Sequence, residues 1–157
     1  MRRLRVGVIG CGLIAQVVHL PYLREMEDRF WIVALCDLSP ETVDVLGDTY
    51  AVPHRHTHWA DLLAEDLDAV LIRTSGSHAP PAIAAARAGR HVFVEKPMCF
   101  APREADAMIE AASLAGVTLM VGNMKRFDPA YERARPLIAR ITDLRLARIT
   151  TLEAPFQ

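Results

Sequence analysis

The sequence lacks the features that would place it in a membrane or on nucleic acid. None of its apolar runs approaches the ~20 residues needed to cross a bilayer. The formal net charge is only −1, so the chain has no electrostatic footprint for nucleic acid or an anionic membrane surface. The basic start, residues 1–5, lacks the apolar region that follows in a signal peptide. We therefore expect a soluble, cytoplasmic, globular protein without nucleic-acid or membrane partners.

Cysteine is scarce and odd in number. Cys11, Cys36 and Cys99 are far apart in the sequence, which does not fit a disulfide framework or a zinc site. Reduced thiols in a cytoplasm fit the pattern better. Repeats, low-complexity tracts and linkers are also missing, so the 157 residues fit about one domain with a sizeable core.

An alternating histidine segment is the one candidate metal site. His54, His56 and His58 would share one face of a strand, and imidazoles are common zinc ligands. However, Arg55 and Trp59 crowd the segment, and no acidic ligand is evident. We therefore predict no bound metal.

What the sequence does contain is a regular alternation of apolar β-branched runs and helical patterns. Strands are predicted at residues 4–9, 30–36, 53–57, 69–72, 91–95 and 117–121, and a β-rich segment at 144–152. Helices are predicted at residues 12–26, 59–64, 80–88, 103–115 and 129–140, and one starting at Pro40 with Ser39 as its cap. Such alternation predicts an α/β fold with a doubly wound parallel sheet, the Rossmann fold.

The strongest motif is a glycine-rich corner between the first strand and the first helix. Residues 8–15 read Val-Ile-Gly-Cys-Gly-Leu-Ile-Ala, a G-x-G-x-x-A pattern. Gly10 allows the tight turn, Gly12 lets a diphosphate approach the backbone, and Ala15 lets helix and strand pack closely. The predicted cofactor contacts here are Gly10, Cys11, Gly12, Leu13 and Ile14. The alternative for the loop is a glycine turn that binds no ligand. For the Cys11 side chain, the alternatives are a thiol whose pKa is lowered by the helix terminus and a small residue that fills space.

Asp37 ends the second predicted strand, where the ribose of an adenosine should lie. A carboxylate there accepts hydrogen bonds from ribose hydroxyls and repels a 2′-phosphate. No arginine follows it to neutralise such a phosphate. The sequence thus favours NAD over NADP, unless Asp37 only caps the helix that starts at Pro40.

Further segments resemble the Gfo/Idh/MocA family of glucose–fructose oxidoreductases and inositol dehydrogenases. They are Glu95-Lys96-Pro97 with the preceding residues 89–94, residues 62–63 followed by 67–72, and residues 121–129. The resemblance implies an N-terminal Rossmann domain, a C-terminal α/β domain for substrate and oligomerisation, and NAD(P)-dependent hydride transfer on a sugar- or polyol-like substrate. It also implies a homo-oligomer.

The same resemblance assigns roles to individual residues. Lys96 would lie near the nicotinamide ribose and the substrate hydroxyl and assist proton transfer. Glu95 would lie on the ribose side. Pro97 would shape the turn, and the bond that precedes it can be cis. Without the resemblance, the sequence would favour a surface lysine that forms an ion pair with Glu95.

The loop after the fourth strand would also contact the cofactor. Family members usually carry Thr-Pro-Asn and a histidine there. This chain keeps Thr74 and His78 but has Ser75 and Gly76 in between. We predict cofactor contacts by Thr74, Ser75 and His78, with His78 alternatively capping the next helix.

The end of the chain is predicted to begin a second domain. We assign residues 1–125 to the dinucleotide-binding domain and 126–157 to the start of a C-terminal domain that is largely absent. Asn123 and Arg126 end the sixth predicted strand and could face the substrate. The alternative is that Lys125 and Arg126 are simply a solvated pair of surface residues. The alternative to a coenzyme domain that is incomplete on its own is a non-catalytic NAD(H)-binding or dimerisation module.

Overall fold

A parallel sheet organises the first part of the molecule. The computed structural model describes residues 2–143 together with 145, 146, 148 and 150, and divides into two compact units, Met1–Gly122 and Asn123–Gln157. The strands are β1 (Leu4–Ile9), β2 (Phe30–Cys36), β3 (His54–His56), β4 (Ala69–Ile72), β5 (His91–Val94) and β6 (Leu119–Val121). Their order is β3-β2-β1-β4-β5-β6 and every neighbouring pair is parallel. The predicted doubly wound fold is therefore confirmed, with the strand order reversing between β1 and β4.

The sheet is buried on both faces because its central strands are apolar on both faces. In β1, Val6 and Val8 belong to one core cluster and Ile9 to the other. Gly7 faces the same side as Ile9, where a Cβ would lie 2.7 Å from Leu67 and 2.9 Å from Leu62. Glycine at this position lets the neighbouring elements pack directly on β1.

Helices cover both faces. They are α1 (Leu20–Glu25), α2 (Pro40–Tyr50), α3 (Trp59–Leu63), α4 (Ala79–Arg87) and α5 (Pro102–Ala115). The predicted cap of α2 is present, since Ser39 Oγ accepts a hydrogen bond from the Thr42 amide at 3.1 Å. Within the residues described, no helix is long and apolar enough to cross a membrane.

The first helix differs from its prediction in one turn. Residues 15–19 form a π-turn (Ala15–His19), in which the Leu20 amide donates to the Ala15 carbonyl five residues back. Pro21 follows and has no N–H with which to continue an α-helical ladder. The wider turn is therefore accommodated where the regular pattern is already interrupted, and such turns are frequent at functional sites.

The second unit contains a short 3₁₀ turn (Met124–Phe127) and α6 (Pro129–Ile138). Asp128 Oδ1 caps α6 by accepting from the Ala130 amide at 2.9 Å. The predicted β segment 144–152 falls largely on residues outside those described, and Arg145, Leu146, Arg148 and Thr150 have no regular secondary structure. The assignment of this unit to a C-terminal domain stays a prediction.

The amino ends of β1 and β4 are joined by a charged network around Asp68. Its carboxylate accepts from the Arg5 amide at 2.8 Å, from two guanidinium nitrogens of Arg5 at 3.1 and 3.0 Å, and from Arg2 at 2.9 Å. Arg5 also pairs with Asp66. These hydrogen bonds hold the pKa of Asp68 well below its usual range.

Candidate functional site

The glycine corner lies at the carboxyl end of β1, beside the point where strand order reverses. Gly10 has a φ of +91°, and a Cβ there would lie 2.7 Å from the carbonyl carbon and oxygen of Arg73. Only glycine fits this position. At Gly12, by contrast, a Cβ would meet nothing within 4 Å. The corner is thus closed against β4 on one side and open on the other, as the approach of a ligand requires.

Amide donors surround this open space. The helix begins at Leu13, and the first amides of a helix have no intrahelical partner. The side chains of Leu13 and Ile14 are 70% and 50% exposed, so they do not fill the core. Gln16 fixes the corner from behind by donating its side-chain amide to the Cys11 carbonyl at 2.8 Å. The geometry fits an anion held by backbone N–H groups.

The Cys11 thiol is a core filler. It is fully buried, and burial together with the charge of Asp37 raises its pKa to about 12. The possibility of a thiol activated by the helix terminus is therefore wrong, because desolvation outweighs the helix dipole here. The Cys11 amide donates to Asp37 Oδ2 at 2.7 Å, so this residue connects the corner to the acid.

Asp37 is held at the carboxyl end of β2 by two amides. Oδ2 accepts from Cys11, and Oδ1 accepts from Ser39 at 3.1 Å. The helix-capping role belongs to Ser39, so the alternative reading of Asp37 as the cap of α2 is wrong. Each carboxylate oxygen retains acceptor capacity beyond its one amide, and Asp37 lies beside the corner as predicted.

The loop after β4 brings polar groups to the same edge. Thr74 Oγ1 is buried and, among the residues described, has no hydrogen-bond partner. Ser75 is exposed. His78 is buried at 4% exposure, with Nε2 lying 2.9 Å from the Thr74 carbonyl and Nδ1 lying 3.0 Å from the Pro97 carbonyl. His78 occupies the N-cap position of α4, as the alternative prediction had it, but its ring makes no capping hydrogen bond. The ring contacts both the loop after β4 and the loop after β5.

At the end of β5, the Glu95 carboxylate is fixed from two sides. Oε1 lies 2.8 Å from His19 Nε2, and Oε2 accepts from the Lys96 amide at 3.1 Å. Lys96 is exposed, and no residue in the described part of the chain pairs with its ammonium. The Lys96–Pro97 bond is cis. Lys96 is therefore not the surface partner of Glu95 but a free ammonium at the carboxyl edge of the sheet.

Two residues at this site were not identified from the sequence. His19, on the π-turn, packs edge-on against Phe93 and contacts Glu95; burial and then the charge of Arg73 lower its pKa. Arg73, directly after β4, donates to the Gly10 carbonyl at 3.0 Å. The available signal for Arg73 was a charge at the end of a buried strand. His19 contacts a residue 76 positions away, and no local pattern carries that contact.

Three further residues that the sequence singled out belong to the second unit. Asn123 and Arg126 belong to the second unit, at its 3₁₀ turn, and are exposed. Lys125 and Arg126 are both exposed to solvent, and Lys125 Nζ also lies 3.8 Å from Asp128 Oδ2.

The histidine segment has an acidic partner that the sequence did not reveal. His54 Nδ1 and His56 Nε2 each lie 3.1 Å from Glu65 Oε1. His58 instead stacks on Trp59 and accepts from the Ala60 amide. The expectation that no acidic group is near is wrong, but the described residues contain no group of three histidine, cysteine or acidic side chains arranged to hold a metal.

Comparison with known proteins gives consistent matches. The model of the Gfo/Idh/MocA oxidoreductase family, NAD-binding Rossmann fold, matches residues 4–123. The chain is 30% identical over 139 residues to inositol 2-dehydrogenase of Salmonella typhimurium, covering 86% of this chain and 41% of that protein. It is 36% identical over 138 residues to inositol 2-dehydrogenase 3 of Saccharopolyspora erythraea, covering 85% and 40%.

A solved structure extends the likeness to three dimensions. The WlbA dehydrogenase from Bordetella pertussis, in complex with NADH and UDP-GlcNAcA, is similar with a TM-score of 0.82 and 32% identity. The similarity covers 88% of this chain and 42% of that one. The chain thus spans about two fifths of the length of the relatives that it matches.

Proposed function

The chain belongs to the Gfo/Idh/MocA family of oxidoreductases with an NAD-binding Rossmann fold, and from this premise we propose that it binds NAD(H) as the coenzyme domain of a dehydrogenase. The observation that carries the proposal is the open space at Gly12, where a Cβ would meet nothing within 4 Å. Beside it lie the first amides of the helix that begins at Leu13, which have no intrahelical partner. A diphosphate is the part of the coenzyme that needs both a bare backbone and convergent N–H donors.

Asp37 supports binding of the coenzyme without a 2′-phosphate. Its carboxylate is oriented by the amides of Cys11 and Ser39 and keeps lone pairs for ribose hydroxyls. A phosphate in the same place would meet this negative charge with no arginine next to it in the sequence. We therefore propose NAD(H) as the preferred coenzyme over NADP(H).

The other edge of the site would receive the nicotinamide half. Glu95, Lys96 and Pro97 follow β5, and Thr74 and Ser75 follow β4, so both loops lie at the carboxyl ends of neighbouring strands. The buried, unpartnered hydroxyl of Thr74 is a group that a ligand can satisfy. His78 holds the two loops together instead of touching the coenzyme through a free nitrogen.

Lys96 is the residue that we propose to act on substrate. The coenzyme supplies hydride acceptance or donation when bound. The free Lys96 ammonium would hydrogen-bond the substrate oxygen and hold or release its proton, while Glu95 fixes the backbone of the turn through the Lys96 amide. A sugar- or polyol-like hydroxyl or carbonyl is the proposed substrate class, by similarity to the inositol dehydrogenases.

The test is calorimetric titration of the chain with NADH and NADPH, repeated with Asp37→Ala. We expect NADH to bind more tightly than NADPH, and the variant to lose this preference because the ribose acceptor is gone. Asp106→Ala, at an exposed site on α5, is the matched charge control and should retain the preference. Failure of the unmodified chain to bind either coenzyme would refute the proposal.

The finer parts of the proposal have separate measurements. NAD⁺ reduction with a panel of inositols and sugars tests turnover, and Lys96→Met should abolish any that is seen. Light scattering tests the proposed homo-oligomer. A cytoplasmic location is proposed from the three unpaired thiols and is tested by localising a tagged chain.

A further inference from the structure

Arg73 is a half-buried arginine whose charge has no ion-pair partner among the described residues. Its Nε and Nη1 atoms are buried and, in the part of the chain that the structure describes, have no hydrogen-bond partner. Within the described residues, the one hydrogen bond of its side chain runs from Nη2 to the Gly10 carbonyl at 3.0 Å. An arginine stays protonated even when burial lowers its pKa to about 10, as it does here. A cation in this condition is costly to the fold unless something else uses it.

The position of this charge indicates what would use it. Arg73 follows β4, its amide donates to the Ile9 carbonyl at 2.9 Å, and its own carbonyl touches the place where a Gly10 Cβ would be. The guanidinium therefore lies directly behind the glycine corner. The open side of that corner, at Gly12, is where the proposed diphosphate approaches.

The nearest acidic groups are already engaged. Glu95 contacts His19 and the Lys96 amide, and Asp37 contacts the amides of Cys11 and Ser39. Among the described residues, no carboxylate lies within ion-pair distance of Arg73. Glu95 attracts the guanidinium at longer range without forming an ion pair with it. The charge of Arg73 acts on the corner in a setting of low dielectric, where electrostatic interactions are strong.

We propose that Arg73 is a positioning cation that strengthens binding of an anionic diphosphate at the glycine corner. This inference rests on the proposed coenzyme function. The charge acts through the Gly10 segment, which it both holds by a hydrogen bond and makes electropositive. It adds to the helix-start amides, which carry only partial charges.

The proposal has an unusual consequence for stability. A charge that is largely removed from water without an ion-pair partner costs desolvation free energy, and an apolar side chain of similar length removes that cost. Arg73→Met should therefore leave the melting temperature unchanged or raise it while weakening diphosphate binding. If Arg73 had a purely structural role, its replacement would lower the melting temperature. Ligand binding would then fall only in proportion to the loss of folded protein.

The experiment compares two ligands that differ in charge, ADP-ribose and adenosine, by calorimetry. For Arg73→Met we expect the Kd of ADP-ribose to rise about tenfold, which corresponds to 1.4 kcal/mol, and the Kd of adenosine to stay the same. Arg73→Lys should recover much of the loss because it keeps the charge. Arg29→Met, an exposed arginine next to β2, controls for net charge and should change neither Kd.

The outcomes separate this inference from the proposed function. If the unmodified chain binds neither ADP-ribose nor NADH, the coenzyme function fails and this inference with it. Two other outcomes would overturn only the role of Arg73, provided that the unmodified chain binds ADP-ribose. In the first, Arg73→Met has the same Kd for ADP-ribose as the unmodified chain. In the second, its Kd for adenosine rises as much as its Kd for ADP-ribose. A weaker salt dependence of ADP-ribose binding in Arg73→Met than in the unmodified chain would support it further.

Discussion

The polar groups at the two ends of β1 and β4 differ in whether they have hydrogen-bond partners. At the amino ends of β1 and β4, Asp68 accepts four hydrogen bonds from Arg5 and Arg2, and the charges are paired. At the carboxyl ends of the same two strands, Arg73 keeps two buried nitrogens without a partner and Thr74 keeps a buried hydroxyl without one. Around β1 and β4, the described residues thus satisfy the amino end internally and leave donor capacity at the carboxyl end, although Arg90 Nε, before β5, is also buried without a partner.

This difference separates stability from binding. A charge network closed within the protein stabilises the fold and offers nothing to a ligand. Unpartnered donors cost stability, of order 1–3 kcal/mol for each buried group, and recover it only when a ligand pairs with them. The amino end should therefore respond to mutation in melting experiments, and the carboxyl end in binding experiments.

Gly12 offers the largest expected effect and the sharpest test of this contrast. Gly12→Val should weaken NADH binding by roughly 100-fold or more, because its side chain fills the space that the diphosphate needs. The melting temperature should change little, since a Cβ there meets nothing within 4 Å. Fluorescence titration and thermal unfolding measure the two quantities.

Gly10→Ala is the matched control at the same corner. Its Cβ would lie 2.7 Å from the Arg73 backbone at a φ of +91°, so unfolding should occur at a clearly lower temperature. If Gly12→Val also unfolded at a much lower temperature, or if it bound NADH normally, the open corner would not be a ligand site.

Asp68→Ala tests the other end of the sheet. We expect the free energy of unfolding to fall by about 1 kcal/mol, a modest figure because its arginine partners are partly solvated. The fall in melting temperature should be about 2–4 °C for a chain of this size. The Kd for NADH should remain that of the unmodified chain. A large loss of affinity in this variant would break the contrast between the two ends.

The sequence predicted the sheet better than it predicted the site. β2 and β4 have the predicted bounds, because continuous apolar β-branched runs between turn residues leave little choice. The sequence pattern places Gly10 and Gly12 after β1 and Asp37 after β2, where the structure has them, and their contacts with a cofactor stay a prediction. The cofactor contact of His78 also stays a prediction; its contacts with two carbonyls could not be predicted, since they come from different loops.

Other contacts at the site depend on long-range geometry that no local pattern records. Arg73 reaches back 63 residues to Gly10, and His19 reaches forward 76 residues to Glu95. Glu65, which serves His54 and His56, becomes their neighbour only once α3 packs beside β3. The π-turn is an exception, since Pro21 inside a predicted helix was visible in the sequence and signals an interrupted ladder.

The pH dependence of stability should also differ between the two ends. Burial and the charge of Arg73 lower the pKa of His19, so the unfolded chain takes up this proton at a higher pH than the folded one. Stability from His19 is therefore present above its ordinary pKa, about 6.5, and is lost as pH falls below it. The pKa of Asp68 is also lowered, but an aspartate loses its contribution only below about pH 4.

Urea unfolding between pH 7 and pH 5 measures the His19 contribution as a decline in the free energy of unfolding when the pH falls. His19→Gln keeps a donor toward Glu95 and cannot titrate, so its stability should decline less over this interval than that of the unmodified chain. Asp68→Ala should leave the decline unchanged. Identical slopes in the unmodified chain and His19→Gln would contradict the assignment.

The smallest expected effect concerns the thiols beneath the corner. Cys11 and Cys36 are buried, and desolvation raises their pKa to about 12 and about 11, whereas Cys99 in the loop after β5 is half-buried. A disulfide reagent at pH 8 attacks thiolates, so one thiol per chain should react quickly and two should react only on unfolding. Cys99→Ser should remove the fast reaction. Rapid reaction of two or three thiols would mean that reagent and solvent reach the core through the corner. In that case, neither the unpaired charge of Arg73 nor the free space at Gly12 would distinguish a ligand site from a loosely packed strand end.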